Sequence, residues 1–212
     1  MLANFYSFSA KYCQRLAVLI TVLVLSACSA LTDKPAPEPL LVSNDHQTNI
    51  AQLTKWRVSG KIGFITPQQR QRANLNWQMN ESIGQQQLNL TTYLGINVLK
   101  VSSMSGEHQI EVDGKLYRGQ NLSDLITQLT GLNLPAEALA FWLKGIPYRY
   151  RDIVSYQADN QLAESISSAI NGKIWQIRYQ VYRKFNGYVL PTKMTIEQGE
   201  LTIKISLNQW QV

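Results

Sequence analysis

Apolar and polar residues alternate with a period of two through most of this chain, and that alternation limits the fold more than any other feature. Leu201, Ile203, Ile205 and Leu207 alternate with Thr202, Lys204, Ser206 and Asn208. Trp175, Ile177, Tyr179 and Val181 share one face, with Gln176, Arg178 and Gln180 on the other. Ala73, Leu75, Trp77 and Met79 alternate with Arg72, Asn74, Asn76 and Gln78, and Leu88 and Leu90 with Gln87, Asn89 and Thr91. From Trp56 to Phe64 the even positions are apolar or small and the odd ones mostly polar. Each run predicts a strand with one buried face. Asn97 to Ser103, His108 to Tyr117 and Leu190 to Glu197 continue the pattern less cleanly. Tyr148 to Tyr156 and Leu162 to Ile166 flank a turn at Asp159-Asn160. Ser105-Gly106, Asp113-Gly114, Asn171-Gly172 and Asn186-Gly187 are turn pairs, the last two strong hairpin signals. About ten strands result, and short turns make consecutive ones antiparallel.

The middle of the chain changes period. Leu122, Leu125, Ile126 and Leu129 form one apolar stripe at helical spacing. Asn121 is placed to cap that helix and Gly131 to end it. A second helix starts at Pro135 and stops before Gly145, with Leu139, Trp142 and Leu143 on one face. A short helix near Ser43 or Asn44, carrying Ile50 and Leu53, precedes the first strand. A long antiparallel sheet must curl to cover its apolar face, and a helix pair can plug or lid the opening. Five tryptophans and ten tyrosines supply the aromatic content. They suit either a filled core or the wall of a ligand cavity, and the alternation does not distinguish these.

The start of the chain has another character. Lys11 and Arg15 precede an apolar run from Leu16 to Leu25, which is too short to span a bilayer and reads as a secretory signal. It ends in Leu25-Ser26-Ala27-Cys28, which resembles the lipobox of bacterial lipoproteins. The resemblance implies that residues 1–27 are removed and that Cys28 carries an S-diacylglycerol and an N-palmitoyl chain. The alternative is a plain signal peptide with a cysteine there by chance. Ser29 to Asp45 hold Pro35, Pro37 and Pro39, so residues 28–45 read as a semi-rigid tether and 46–212 as the folded domain. Cys13 leaves with the signal, so the mature chain has no disulfide and must rest on a buried core. Loss of Lys11 and Arg15 takes the formal charge from +6 to +4, mildly basic, without the dense Lys/Arg block that nucleic acid would call for.

Catalytic and metal-binding patterns are absent from the sequence. The two histidines, His46 and His108, do not have metal spacing, and His108 reads as an ordinary strand residue. There is no Gly-x-Ser-x-Gly, phosphate-binding loop or Gly-x-Gly-x-x-Gly. No enzyme activity and no cofactor are expected. One loop stands apart. Thr91-Thr92-Tyr93-Leu94-Gly95-Ile96 joins two strands and carries a leucine where turns are usually polar. Leu94 either folds back into the core or contacts lipid or a partner.

Several segments carry a wider resemblance: Leu90-Thr91-Thr92-Tyr93-Leu94-Gly95, Leu129 to Pro135, Phe141 to Pro147, Gly172-Lys173-Ile174-Trp175, Leu190-Pro191 and Asn208-Gln209-Trp210. In this order, with the lipobox, they resemble the LolB family, the outer-membrane lipoprotein receptors of bacterial lipoprotein localisation. The resemblance implies a mainly β fold: an open, incomplete antiparallel β-barrel with a helical lid, enclosing an apolar cavity. It implies a receptor, anchored in the outer membrane and facing the periplasm. Such a receptor takes lipidated cargo from a LolA-like periplasmic carrier and places it in the inner leaflet of the outer membrane. A monomer and no nucleic acid are expected. Leu94 matches the family's exposed membrane-insertion leucine, with Tyr93 and Gly95 beside it; Tyr93 stands where proline is common. Trp77, Leu125, Leu129, Leu139, Trp142 and Trp175 are the expected cavity and lid residues. Ser29, rather than aspartate, after Cys28 fits outer-membrane delivery. A structural or assembly lipoprotein with a packed core and an envelope hydrolase are the alternatives.

Overall fold

The computed structural model describes residues 46–212; the expected signal, Cys28 and the tether lie outside the described residues. Helix α1 (His46–Ala51) leads into β1 (Lys55–Ile65), β2 (Arg70–Asn80), β3 (Gln85–Thr91), β4 (Asn97–Met104), β5 (Glu107–Val112) and β6 (Lys115–Gly119). Helices α2 (Leu122–Thr130) and α3 (Ala136–Lys144) follow. The chain then returns through β7 (Ile153–Tyr156), β8 (Ala163–Ile170), β9 (Lys173–Phe185), β10 (Tyr188–Gln198) and β11 (Leu201–Gln211).

The eleven strands form one sheet in the order β6-β5-β4-β3-β2-β1-β11-β10-β9-β8-β7. Every pairing is antiparallel, and the only neighbours not consecutive in the chain are β1 and β11. Among the described residues, the edges of the sheet are therefore β6 and β7, and the chain segment between them holds the helix pair. The barrel is open, as expected, and α2 and α3 bury their apolar faces in the curled sheet. Among the described residues, the core and the side chains packed on it run from Ile50 to Val212.

Turn chemistry follows the sequence closely. Ser105-Gly106, Asp113-Gly114, Asn171-Gly172 and Asn186-Gly187 all have positive φ at both positions, the conformation that suits right-twisted hairpins. Asn121 Oδ1 accepts a hydrogen bond from the Asp124 N–H at 3.0 Å, and Gly131, at φ 70°, closes α2. Gly60 is required for packing. A Cβ there would lie 2.2 Å from the Ser206 carbonyl oxygen, because the register of β1 and β11 shifts at Ser59/Gly60 and the backbones close in.

Two strand readings need correction. Tyr148 to Asp152 is a turn, because the Asp152 carboxylate accepts from the N–H groups of Tyr148 and Arg149 at 2.9 and 3.0 Å and holds the chain back from the sheet. Val181 faces outward and Tyr182 takes the inward place, because a register shift opposite Lys193 changes the phase of β9 against β10.

Candidate functional site

A cavity of about 420 Å³ lies between the helix pair and one half of the sheet. Its volume falls within the ~300–1,000 Å³ usual for small-ligand sites. β1, β2, β3 and β11 supply one wall through inward positions such as Phe64, Leu75, Leu90 and Ile203. Leu122, Ile126 and Leu129 of α2 and Leu139 and Leu143 of α3 supply the opposite wall. Trp77 lines it too, and its indole N–H donates to Gln86 Oε1 at 3.1 Å, so the ring face turned to the cavity is apolar. The exposed lining residues Gln69, Gln71, Arg72, Val98 and Asp113 gather where the β1–β2 turn, the β3–β4 loop and the β5–β6 turn lie, and this is the mouth.

Of the expected cavity residues, Trp77, Leu129 and Leu139 line this space, whereas Leu125, Trp142 and Trp175 do not. Leu125 leans on Gly119 at the sheet edge, so closely that a Cβ there would stand 3.2 Å from the leucine methyl. Trp142 and Trp175 pack ring against ring, centroids 5.8 Å apart, in the other half of the barrel. Two buried tyrosines, Tyr179 and Tyr182, pack there as well, ring centroids 5.7 Å apart. The Tyr179 hydroxyl donates to the Trp142 carbonyl at 2.8 Å, and the Tyr182 hydroxyl to that of Ala163 at 2.7 Å. Burial raises the pKa of both phenols above the usual tyrosine range, with Tyr182 adding to the effect on Tyr179. Helix α3 thus has two sides, with Leu139 and Leu143 toward the cavity and Trp142 toward the aromatic cluster.

The β3–β4 loop projects at the mouth. Tyr93 is 88% exposed and Leu94 81%, with Ile96 and Val98 also exposed. The loop is a formed turn. The Gly95 N–H donates to the Thr92 carbonyl at 3.0 Å, and the Thr92 N–H to that of Ile96 at 2.8 Å. Thr92 Oγ1 accepts from the Ile96 N–H at 3.2 Å, and Asn74 Nδ2 donates to the Thr92 carbonyl at 3.0 Å. Tyr93 and Leu94 are the two corner residues, so their side chains are held outward. Gly95 follows at φ 82°, a left-handed conformation that favours glycine. Leu94 therefore does not fold back into the core.

One polar group in the lid was not anticipated. Lys144, at the end of α3, is buried and donates to Glu81 Oε1 at 2.8 Å and to the Leu53 carbonyl at 3.2 Å. Glu81 Oε1 also accepts from the Trp56 indole N–H at 3.2 Å. This joint ties the lid to the β2–β3 connection. Its sequence signal was a lysine closing a strongly apolar helix, which alone indicates only a favourable helix-end charge.

The family described as "Outer membrane lipoprotein LolB" matches residues 54–210. An outer-membrane lipoprotein LolB of Aeromonas hydrophila is 34% identical over 201 residues, covering 93% of this chain and 96% of that protein. One from Pseudoalteromonas translucida is 35% identical over 168 residues, covering 78% of this chain and 80% of its own. Among solved structures, a LolA superfamily protein from Nitrosomonas europaea superposes with a TM-score of 0.53 at 11% identity, covering 79% of this chain and 93% of that one. A DUF1329 family protein from Desulfovibrio piger gives 0.57 at 10%, covering 79% and 90%. At such identities the structural likeness speaks for the fold alone. With the family matched over residues 54–210 and relatives above 30% identity across most of the sequence, this chain belongs to the LolB family of outer-membrane lipoproteins.

Proposed function

We propose that this chain receives lipoproteins from a periplasmic LolA-like carrier, holds their acyl chains in the cavity under α2 and α3, and passes them into the inner leaflet of the outer membrane. The observation that carries this reading is an apolar cavity of about 420 Å³ whose mouth is flanked by an exposed Tyr93-Leu94 tip. An acyl chain of about 16 carbons carries on the order of 12 kcal/mol of hydrophobic free energy, at ~0.8 kcal/mol per CH₂, so it requires shielding between membranes. Transfer runs down a gradient of affinity, from carrier to this cavity to the bilayer, with no bond made or broken in the cargo. Cys28, acylated on its sulfur and amino group, keeps the domain at the membrane through the tether. Leu94 enters the acyl boundary, and Tyr93 sits at the headgroup level, where amphipathic rings are favoured.

Incubating the protein with carrier-bound lipidated cargo and separating the two tests this. Cargo should co-migrate with this chain and then move to added vesicles. Cargo remaining on the carrier under all conditions would refute the proposal.

A further inference from the structure

The outer face of the sheet carries a cluster of cations that the cargo cavity does not explain. β10, β11, β1 and β2 lie side by side there. Lys204 and Arg72 are in register with Gly63 from opposite sides. One row further along the same strands, Lys193 and Lys61 flank Ser206 in the same way. Each cation pair thus straddles a small residue, with its two strands ~10 Å apart, twice the inter-strand spacing. The six residues line a shallow groove, and Tyr93 of the projecting loop borders it.

Among the described residues, none of these four cations has a carboxylate at salt-bridge distance. Glu197, the acid next to them on β10, is taken by Arg178. Neighbouring charges among these four exposed cations lie within about one Debye length, ~10 Å at 0.1 M salt, so they repel one another, and a bound anion relieves that repulsion. Gly63 and Ser206 leave the floor open. At Gly63 an added Cβ would meet only ordinary contacts, the nearest at 3.7 Å, so the backbone does not require glycine there.

We propose that this groove binds the anionic headgroups of phospholipids and, with the Tyr93-Leu94 tip, forms a two-part membrane-docking surface. The inference rests on the membrane-facing reading of the β3–β4 loop. A lipid surface offers apolar interior and phosphate together, which matches an apolar tip bordering a basic groove. A carrier exchanging acyl chains must face the cavity mouth, whereas the groove lies on the other side of the sheet. Arg72 is at the rim and touches both.

Vesicle flotation of the chain from Ser29 onward, which lacks the acylated cysteine and keeps every described residue, tests the proposal. Vesicles of phosphatidylethanolamine with phosphatidylglycerol are compared with pure phosphatidylcholine. The wild type should prefer the anionic vesicles, and salt should abolish the preference. Replacing Lys61, Lys193 and Lys204 together by Gln should weaken binding to anionic vesicles by about fivefold per cation, about a hundredfold in all. Melting temperature and acceptance of carrier-bound cargo should be unchanged. The corresponding triple Lys→Arg variant should bind like the wild type. Leu94→Glu should keep the salt-sensitive association while failing to insert cargo, which separates the groove from the tip. Equal binding of wild type and the Gln variant, or no preference for anionic vesicles, would overturn the inference. Loss of cargo acceptance by the Gln variant with vesicle binding intact would also overturn it, making the groove a protein-docking surface. Cargo acceptance by the wild type is read separately, so failure of the receptor function itself is distinguishable.

Discussion

Lys144 Nζ lies 2.8 Å from Glu81 Oε1, although Lys144 is only 1% exposed. The pair joins the C-terminal end of the lid helix α3 to the turn after β2. Removing one partner of a buried pair leaves the other uncompensated. Glu81 is partly exposed, which reduces the penalty. Glu81→Ala should lower unfolding free energy by about 1.5–3 kcal/mol, the range for a hydrogen bond to a charged group. Adding Lys144→Met should recover part of that loss. Urea unfolding of the single and double variants measures both, and an unchanged midpoint for Glu81→Ala would show that the joint contributes nothing.

Leu94→Glu should leave melting nearly unaltered, within about 0.5 kcal/mol, because the side chain is exposed. Cargo should still pass from the carrier to this protein. Release into vesicles should fail, since a carboxylate at the tip resists entering lipid. A large fall in melting temperature together with lost acceptance would place Leu94 in the core instead.

Ala73 sits in the cavity wall on β2, near the mouth. Ala73→Trp should project an indole into the empty space and reduce cargo acceptance to a small fraction of wild type. Stability should change by less than about 1 kcal/mol, below the usual cost of overpacking a filled core. Acceptance assays and melting curves on the same preparation separate occlusion from misfolding.

Alkaline pH should destabilise the fold. The raised pKa of Tyr179 and Tyr182 means that the folded state holds these protons more tightly than the unfolded chain, whose phenols titrate near 10.0. The stabilisation is fully present below that pH and is lost as pH rises above it. Tyr182→Phe should cost about 1 kcal/mol at neutral pH through the lost hydrogen bond to Ala163, yet flatten the fall in stability above pH 10. Denaturant midpoints across the alkaline range would reveal an unflattened curve if this assignment is wrong.

Cys28→Ala should abolish acylation and free the domain from the membrane while leaving cargo acceptance intact, because the cavity is built from residues of the folded domain. Fractionation and mass spectrometry read the two effects. Tight membrane retention of the unacylated protein would contradict a lipid tether.

Much of the architecture could be read from residues close together in the chain. The period of two in Leu201 to Leu207 places a strand because alternate side chains point to opposite faces. Asn171-Gly172 places a hairpin because both positions take positive φ. Asn121 and Gly131 bracket α2 through bonds spanning three or four residues. Where a side chain reached back to the main chain, as Asp152 does to Tyr148, the same local patterning overstated the strand.

The site was legible only in part. The Leu94 tip was visible as an apolar residue at a turn, but its exposure follows from the hydrogen bonds that make Tyr93 and Leu94 the corners. Leu139, Trp142 and Leu143 read as one stripe, yet only the two leucines border the cavity. The Lys144–Glu81 pair joins residues 63 positions apart, and no periodicity relates them.

The sequence by itself determined most of the strands, the turns, the two central helices and the family, because those depend on backbone conformation and side-chain order along the chain. Tertiary structure alone decided which side chains of the helix pair border the cavity and which pack away from it. That outcome depends on how α3 is rotated between two walls contributed by distant strands, where Trp142 meets Trp175 and Leu139 and Leu143 face open space. Packing of this kind is a balance of volumes across the whole barrel, and no local pattern carries it.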